Sequence, residues 1–263
     1  MSKLSTEPYK GVQDFYPEDM VVQNHIFDVW RRVAEKFGYV EYSASPLEPT
    51  ELYTEKSGDE IVNQQTFTFI DRGGRSVTLR PEMTPTLARM VAARRRELKF
   101  PLRWYSIPNL FRYEKPQRGR RREHYQLNVD LLGIADTSAD LEVITLAYEI
   151  MKEFGAKDEL FEFRLNFPTG SIDELKDFQA KLAEKGIKNT KTDETLARGQ
   201  AYYTGIVFEM FDTDPANPRA LCGGGRYDNL LELFDADPVP AVGFGWGDIT
   251  LRDFLETHGL LPK

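Results

Sequence analysis

The sequence predicts an α+β fold, an antiparallel sheet flanked by helices, and three observations predict it. Runs that read as strands outnumber the helices that could cross between parallel strands. Neighbouring strands are separated by short polar turns. No internal repeat or low-complexity linker divides the 263 residues, so one large domain over 1–263 is the expectation.

The elements follow in order. After Pro17, the residues Val22, Ile26, Val29, Trp30 and Val33 recur at helical spacing and Gly38 supplies a stop. YVEYSASPLEP is β-rich but interrupted by Pro46, which reads as an edge-strand proline. QTFTFIDRGGRSVTLRPEM alternates around an Asp-Arg-Gly-Gly turn and predicts a hairpin. PTLARMVAARRREL predicts a helix. RWYSIPNLFRYE and HYQLNVDLLG predict two strands of a long hairpin, joined by the polar loop KPQRGRRRE. SADLEVITLAYEIMKEFG is an amphipathic helix, FEFRLNF a strand and SIDELKDFQAKLAEKG a further helix. IVFEMF returns to strand, and PAVGFGWGDITLRDFLETHG runs from a glycine-broken strand into a closing helix.

Composition excludes several classes. No stretch approaches the roughly 18 apolar residues of a membrane span, and MSKLSTEPYK carries no apolar core of a secretory signal, so a cytoplasmic protein is expected. The single cysteine, Cys222, has no neighbour at metal-ligand spacing, which argues against a zinc site. A net charge of −8 argues against indiscriminate binding of nucleic acid, so any such contact must be local. Two basic clusters interrupt the acidic background. Arg94, Arg95, Arg96, Lys99 and Arg103 read as a solvated helix face. Arg112, Lys115, Arg118, Arg120, Arg121 and Arg122 lie in and beside the hairpin loop.

That loop, FRYEKPQRGRRREHYQLNVD, suits a nucleotide. A planar guanidinium such as that of Arg112 matches two phosphate oxygens, and Glu114 can accept from an exocyclic amine, although a charged hairpin tip would have the same composition. Three consecutive glycines, Gly223, Gly224 and Gly225, are costly in a strand unless something approaches the backbone closely. A ligand or a bulge that bends the sheet would each explain them.

SGDEIVNQQTFTFIDRGGRSVTLRPEMTP, FRYEKPQRGRRREHYQ, LARGQAYYTGIVFE and CGGGRYDNLLELF, in this order, resemble the successive signature stretches of the histidyl-tRNA synthetases. The resemblance implies a class II aminoacyl-tRNA synthetase catalytic domain on a six-stranded antiparallel sheet. There ATP and L-histidine form an adenylate, the acceptor end of tRNA(His) receives the histidyl group, and Mg²⁺ bridges the pyrophosphate. Arg112 and Arg198 are then the catalytic pair on the α-phosphate, with Glu114 on the adenine amine, His124 stacked on the base and Arg120 near the phosphates. Glu82, Thr84 and Gln126 would surround the α-amino group. Asp130 and Tyr203 would bond the two imidazole nitrogens, Tyr202 would close the pocket and Gly224 would lie against the ligand. Arg118, Arg120, Arg121 and Arg122 would face tRNA, and Pro46 would mark the interface of a homodimer.

The sequence departs from the pattern at Asp130, where glutamate is more usual, at Ala201 in place of an aspartate, and at Thr250 in place of an arginine, with Arg252 a poorly spaced substitute. Family members usually carry a longer helical insertion where about 167–195 forms a short remnant, and the chain stops where an anticodon-binding domain would begin. The alternative left open is a histidine-sensing regulatory subunit that binds the catalytic subunit of ATP phosphoribosyltransferase.

Overall fold

The computed structural model describes residues 4–54, 65–196 and 203–262. Helix α1 (Pro17–Lys36) has Pro17 in its first turn and Glu18 and Asp19 near its positive end, and buries Ile26, Val29, Trp30 and Val33, the spacing read from the sequence. It packs on α4 (Thr137–Glu153), which Asp136 caps through the Ser138 amide at 2.8 Å.

Among the described residues the main sheet has nine strands rather than the expected six. Six consecutive strands are antiparallel in the order β5 (Leu102–Ser106), β7 (Glu123–Leu132), β12 (Ala241–Gly247), β11 (Ala220–Arg226), β10 (Val207–Asp212) and β8 (Phe161–Asn166). Two short strands extend this run in parallel, β1 (Val40–Glu41) beside β5 and β9 (Thr190–Thr192) beside β8, so the sheet is mixed at its edges. RWYSIPNLFRYE is two strands instead of one. It breaks at Ile107-Pro108, because proline cannot donate to a ladder, and resumes as β6 (Asn109–Phe111) against β7.

A second sheet of three strands, β2 (Leu47–Pro49), β4 (Ser76–Leu79) and β3 (Phe67–Ile70), carries β2 at its edge, and Pro46 is exposed just before it. After the short α2 (Glu51–Thr54), β3 and β4 form the expected hairpin. Helix α3 (Thr84–Ala93) follows, and Arg94 at its end pairs with Glu97 at 2.7 Å, both exposed. The stretch after β8 forms α5 (Ile172–Glu184), whose Ser171 and Glu174 make a reciprocal capping box. The chain closes with α6 (Asp248–Thr257).

The two faces of the sheet differ. Leu127, Val129 and Leu131 of β7 and Val242, Phe244 and Trp246 of β12 join α1, α4 and α6 in one large apolar core. The intervening residues of β7, namely His124, Gln126, Asn128 and Asp130, belong to the opposite face because strand side chains alternate with period two. The small sheet is tied to this framework by Arg80. Its buried guanidinium donates to the carbonyls of Ala44 (2.7 Å), Ser45 (3.2 Å) and Asn109 (3.1 Å), while its backbone bridges Pro46 and Phe111. Arg80→Met keeps the stem but takes the donor away from these part-buried carbonyls and leaves the join between the two sheets untied. It is expected to cost about 3 kcal/mol, read as a lower urea midpoint at unchanged slope.

Candidate active site

Two cavities lie on the polar face of the main sheet. The larger, about 440 Å³, is bounded by the loop after β6, by β11 and β12, and by the first turn of α6. Its lining includes Arg112, Glu114, Arg120, Arg121, His124 and Gln126. The smaller, about 50 Å³, is enclosed by Glu82, Thr84, Asn128, Asp130, Tyr203 and Tyr227. Arg112, Gln126, Gly223 and Gly245 line both, so the cavities adjoin. The larger volume falls within the usual range for a small-molecule pocket, and the smaller suits a compact ring or amine.

Alternation explains how the sequence makes this space. On β12 the cavity-facing positions are Gly243, Gly245 and Gly247, each opposite a polar residue of β7. A Cβ at Gly243 would collide with the Asp130 carboxylate, and one at Gly245 with the Gln126 amide, so these glycines make room for the functional side chains.

Arg112 emerges directly after β6. Its Nε donates to the Pro81 carbonyl at 2.8 Å, and its two terminal nitrogens make no bond or ion pair among the described residues. The guanidinium is thereby oriented while its charge stays available at the junction of the cavities. Burial, with the Arg112 charge added to it, lowers the His124 imidazole to about 3, so the ring lining the larger cavity is neutral across the physiological range. Glu114 is nearly buried and pairs with Arg120 at 3.0 Å, so these two expected ATP contacts engage each other across the cavity wall.

In the smaller cavity, burial raises the Asp130 carboxyl to about 7, against the pull of a hydrogen bond donated by the Tyr227 hydroxyl. Glu82, 8% exposed, and Thr84, the first residue of α3, line the same space, as does Tyr203. Gln126 donates to Asn128 at 3.4 Å. Arg198, Tyr202 and the Ala201 departure lie outside the described residues.

The structure corrects two placements. Gly224 faces the core, not a cavity. It pairs with Phe208 and Phe244, and a Cβ on it would strike the backbone of β12; of the three consecutive glycines, Gly223 lines both cavities. Arg122 is buried and cannot face tRNA. It donates to the Tyr9 hydroxyl (3.0 Å) and to the Lys10 and Glu114 carbonyls, and its guanidinium stacks 4.0 Å from the Tyr113 ring. It fastens the N-terminal segment to the loop. Arg118 points outward and donates to Asn217 at 3.0 Å, whereas Arg121 lines the larger cavity with no hydrogen bond or ion pair among the described residues. Arg252 is engaged by Asp19 at 3.2 Å.

Sequence reasoning passed over Asn128, Tyr227, Glu209 and Arg219, all of which line the cavities. Strict alternation from Gln126 to Asp130 identifies Asn128. No signal in the sequence pointed to Arg219. Among the described residues no group of three or more His, Cys, Asp or Glu could hold a metal ion, and no helix is long and apolar enough to cross a membrane.

Comparison with known proteins finds relatives across nearly the whole chain. The family described as histidyl-tRNA synthetase matches residues 11–169 and 164–247. A histidine-tRNA ligase of Leptospira biflexa is 40% identical over an alignment of 334 residues that covers 99% of this chain and 76% of that protein. One of Thermoplasma volcanium is 35% identical, covering 98% and 76%. The crystal structure of apo Staphylococcus aureus histidyl-tRNA synthetase superposes with a TM-score of 0.82 at 30% identity, covering 98% of this chain and 71% of that one. A Bacillus halodurans protein described as an ATP phosphoribosyltransferase regulatory subunit/histidyl-tRNA synthetase shares the fold, with a TM-score of 0.83 at 24% identity and coverage of 100% and 85%. On the family match and on identity sustained across almost its whole length, the chain belongs to the histidyl-tRNA synthetase family.

Proposed function

We propose that this chain is the catalytic core of a histidine-tRNA ligase, which activates histidine with ATP and passes it to the acceptor end of tRNA(His). The observation that carries the reading is Arg112, a guanidinium whose terminal nitrogens are unengaged among the described residues, where a nucleotide-sized cavity meets a smaller polar one.

In this reading the carboxylate of histidine attacks the α-phosphorus of ATP, and the bond to the β-phosphate bridging oxygen breaks. Pyrophosphate leaves and histidyl-adenylate remains. A ribose hydroxyl of the tRNA end then attacks the activated carbonyl and AMP departs. Arg112 lies where the α-phosphate must meet the carboxylate, and its fixed charge favours the transition state over the ground state. Arg198 is proposed as its partner across the phosphate. Glu114 takes the adenine amine, and His124, held neutral, offers a flat face to the base rather than a competing charge. Glu82, Thr84 and Gln126 receive the α-ammonium. Asp130 and Tyr203 address the imidazole nitrogens and Tyr202 closes over them. Arg118, Arg120 and Arg121 are the loop cations for phosphates or tRNA. Mg²⁺, when bound, neutralises charge on the leaving pyrophosphate. Glu209, a cavity-lining carboxylate, and the phosphate oxygens would hold it, a donor set that suits a hard cation.

A homodimer through α1 and β2 belongs to the same proposal, supported by exposed Val21 on α1 and exposed Leu47, Phe69 and Ile70 on the small sheet. So does a cytoplasmic setting, which the lone buried thiol of Cys222 suits. Residues 1–263 form one catalytic unit, with α5 and β9 as the short remnant of an insertion at about 167–195. In support, the family matches in two segments that meet at 164–169, and the Leptospira alignment is longer than this chain.

The test is ATP–pyrophosphate exchange with each amino acid in turn. Exchange with histidine alone is the expected result, and its absence would overturn the catalytic reading. Stimulation of an ATP phosphoribosyltransferase on mixing would instead point to the regulatory alternative, which needs a histidine site but no arginine waiting in a nucleotide cavity.

A further inference from the structure

We propose that Arg219, just before β11, holds the terminal phosphates of ATP and does the work that no cation on α6 can do. The inference rests on the reading of the larger cavity as the ATP site. A triphosphate is polyanionic, and its far end needs positive charge as much as the reacting phosphorus does. Helix α6 supplies none. Thr250 lines the cavity from its first turn, with its hydroxyl spent on the carbonyls of Leu221 (3.1 Å) and Gly247 (3.3 Å). Arg252 is engaged by Asp19 and lines a different cavity, beside Gln13 and Asp248.

Four arginines line the ATP cavity. Arg112 belongs to the junction with the smaller cavity, and Arg120 is neutralised by Glu114. Arg121 and Arg219 remain, and only Arg219 is held in place. Its Nε donates to the Arg118 carbonyl at 3.2 Å, which leaves both terminal nitrogens without a partner among the described residues. The Arg118 side chain returns a bond to Asn217 at 3.0 Å, so the loop tip and the approach to β11 are clasped together. Gly119, at φ +71°, opens the space. A Cβ there would lie 2.7 Å from Arg219 Cδ and 3.5 Å from Thr250 Cγ2, so the arginine stem and the Thr250 methyl flank the same glycine.

The experiment compares ATP with AMP, which lacks the two terminal phosphates. In Arg219→Ala, the ATP dissociation constant by calorimetry, and the ATP KM in histidine-dependent exchange, should rise roughly 10- to 100-fold. AMP affinity and the histidine KM should not change. Adding Thr250→Arg to that variant should recover ATP affinity, because the vacated space admits an arginine from α6. Equal weakening of ATP and AMP, or of neither, overturns the role of Arg219 while wild-type exchange leaves the ligase reading standing. Wild-type protein that neither binds ATP nor exchanges pyrophosphate overturns both.

Discussion

Arg112→Ala is expected to lower histidine-dependent ATP–pyrophosphate exchange by about 10³-fold or more, with little change in melting temperature. The size follows from geometry. One nitrogen of the guanidinium is committed to the Pro81 carbonyl, so the side chain arrives already aimed and loses little freedom when the α-phosphate meets it. Its two remaining nitrogens match two phosphate oxygens, and each such donor aimed at developing charge is worth roughly 10²- to 10³-fold. Lysine at 112 keeps a charge but not the fork, and should recover only part of the loss. The loss should fall on kcat as well as KM, because the charge on phosphorus grows toward the transition state. Arg112→Ala should also let the His124 ring titrate at a higher pH, although burial, the larger cause, still holds it below the ordinary imidazole value. Exchange within tenfold of wild type would place Arg112 away from the reacting phosphate.

Much of the framework was legible because periodicity is a direct imprint of burial. The 3.6-residue spacing of Ile26, Val29, Trp30 and Val33 became the buried stripe of α1, and the alternation in HYQLNVDLL became a strand with one apolar and one polar face. That second pattern carried the site as well. His124, Gln126 and Asp130, expected from the family resemblance, share the polar face and line the cavities together. β1 falls within the β-rich run YVEYSASPLEP, but its parallel pairing was not legible, and neither was β9, since a run of three residues carries no period.

Two misplacements have simple causes. Three glycines in a row carry no side chain to mark which face each takes, so only register against Phe208 and Phe244 assigns Gly224 to the core. A run of arginines likewise conceals which member turns inward. Arg122 is buried because Tyr9 and Lys10, more than a hundred residues earlier in the chain, come to rest upon it, and long-range contact of that kind leaves no local trace. Tyr227 escaped for the same reason, its hydroxyl reaching Asp130 across 97 positions.

Asp130→Asn is expected to raise the histidine KM by roughly 100-fold and, at the same time, to make the protein more stable at alkaline pH. Wild-type Asp130 offers two oxygens, one of which accepts from the Tyr227 hydroxyl. Asparagine offers one oxygen to that hydroxyl and turns an NH₂ group toward the imidazole N–H that needs an acceptor, so donor meets donor. The stability effect has the opposite sign. Burial raises the native carboxyl to about 7, whereas in the unfolded chain it titrates near ~4. Between those values the native state holds a proton that the unfolded state has released, so wild-type stability falls as pH rises, by up to ~1.4 kcal/mol per pH unit. Asparagine has no proton to lose and escapes that decline. The melting-temperature difference should therefore shift in favour of the variant between pH 5 and pH 8, by on the order of 5 °C. A difference that does not vary with pH would show that Asp130 is not buried in this way. An unchanged histidine KM would remove it from the amino-acid site. If both shifts appear together, the carboxylate weakens the unliganded fold and strengthens histidine binding, and its presence in the buried end of β7 is explained by the ligand rather than by packing.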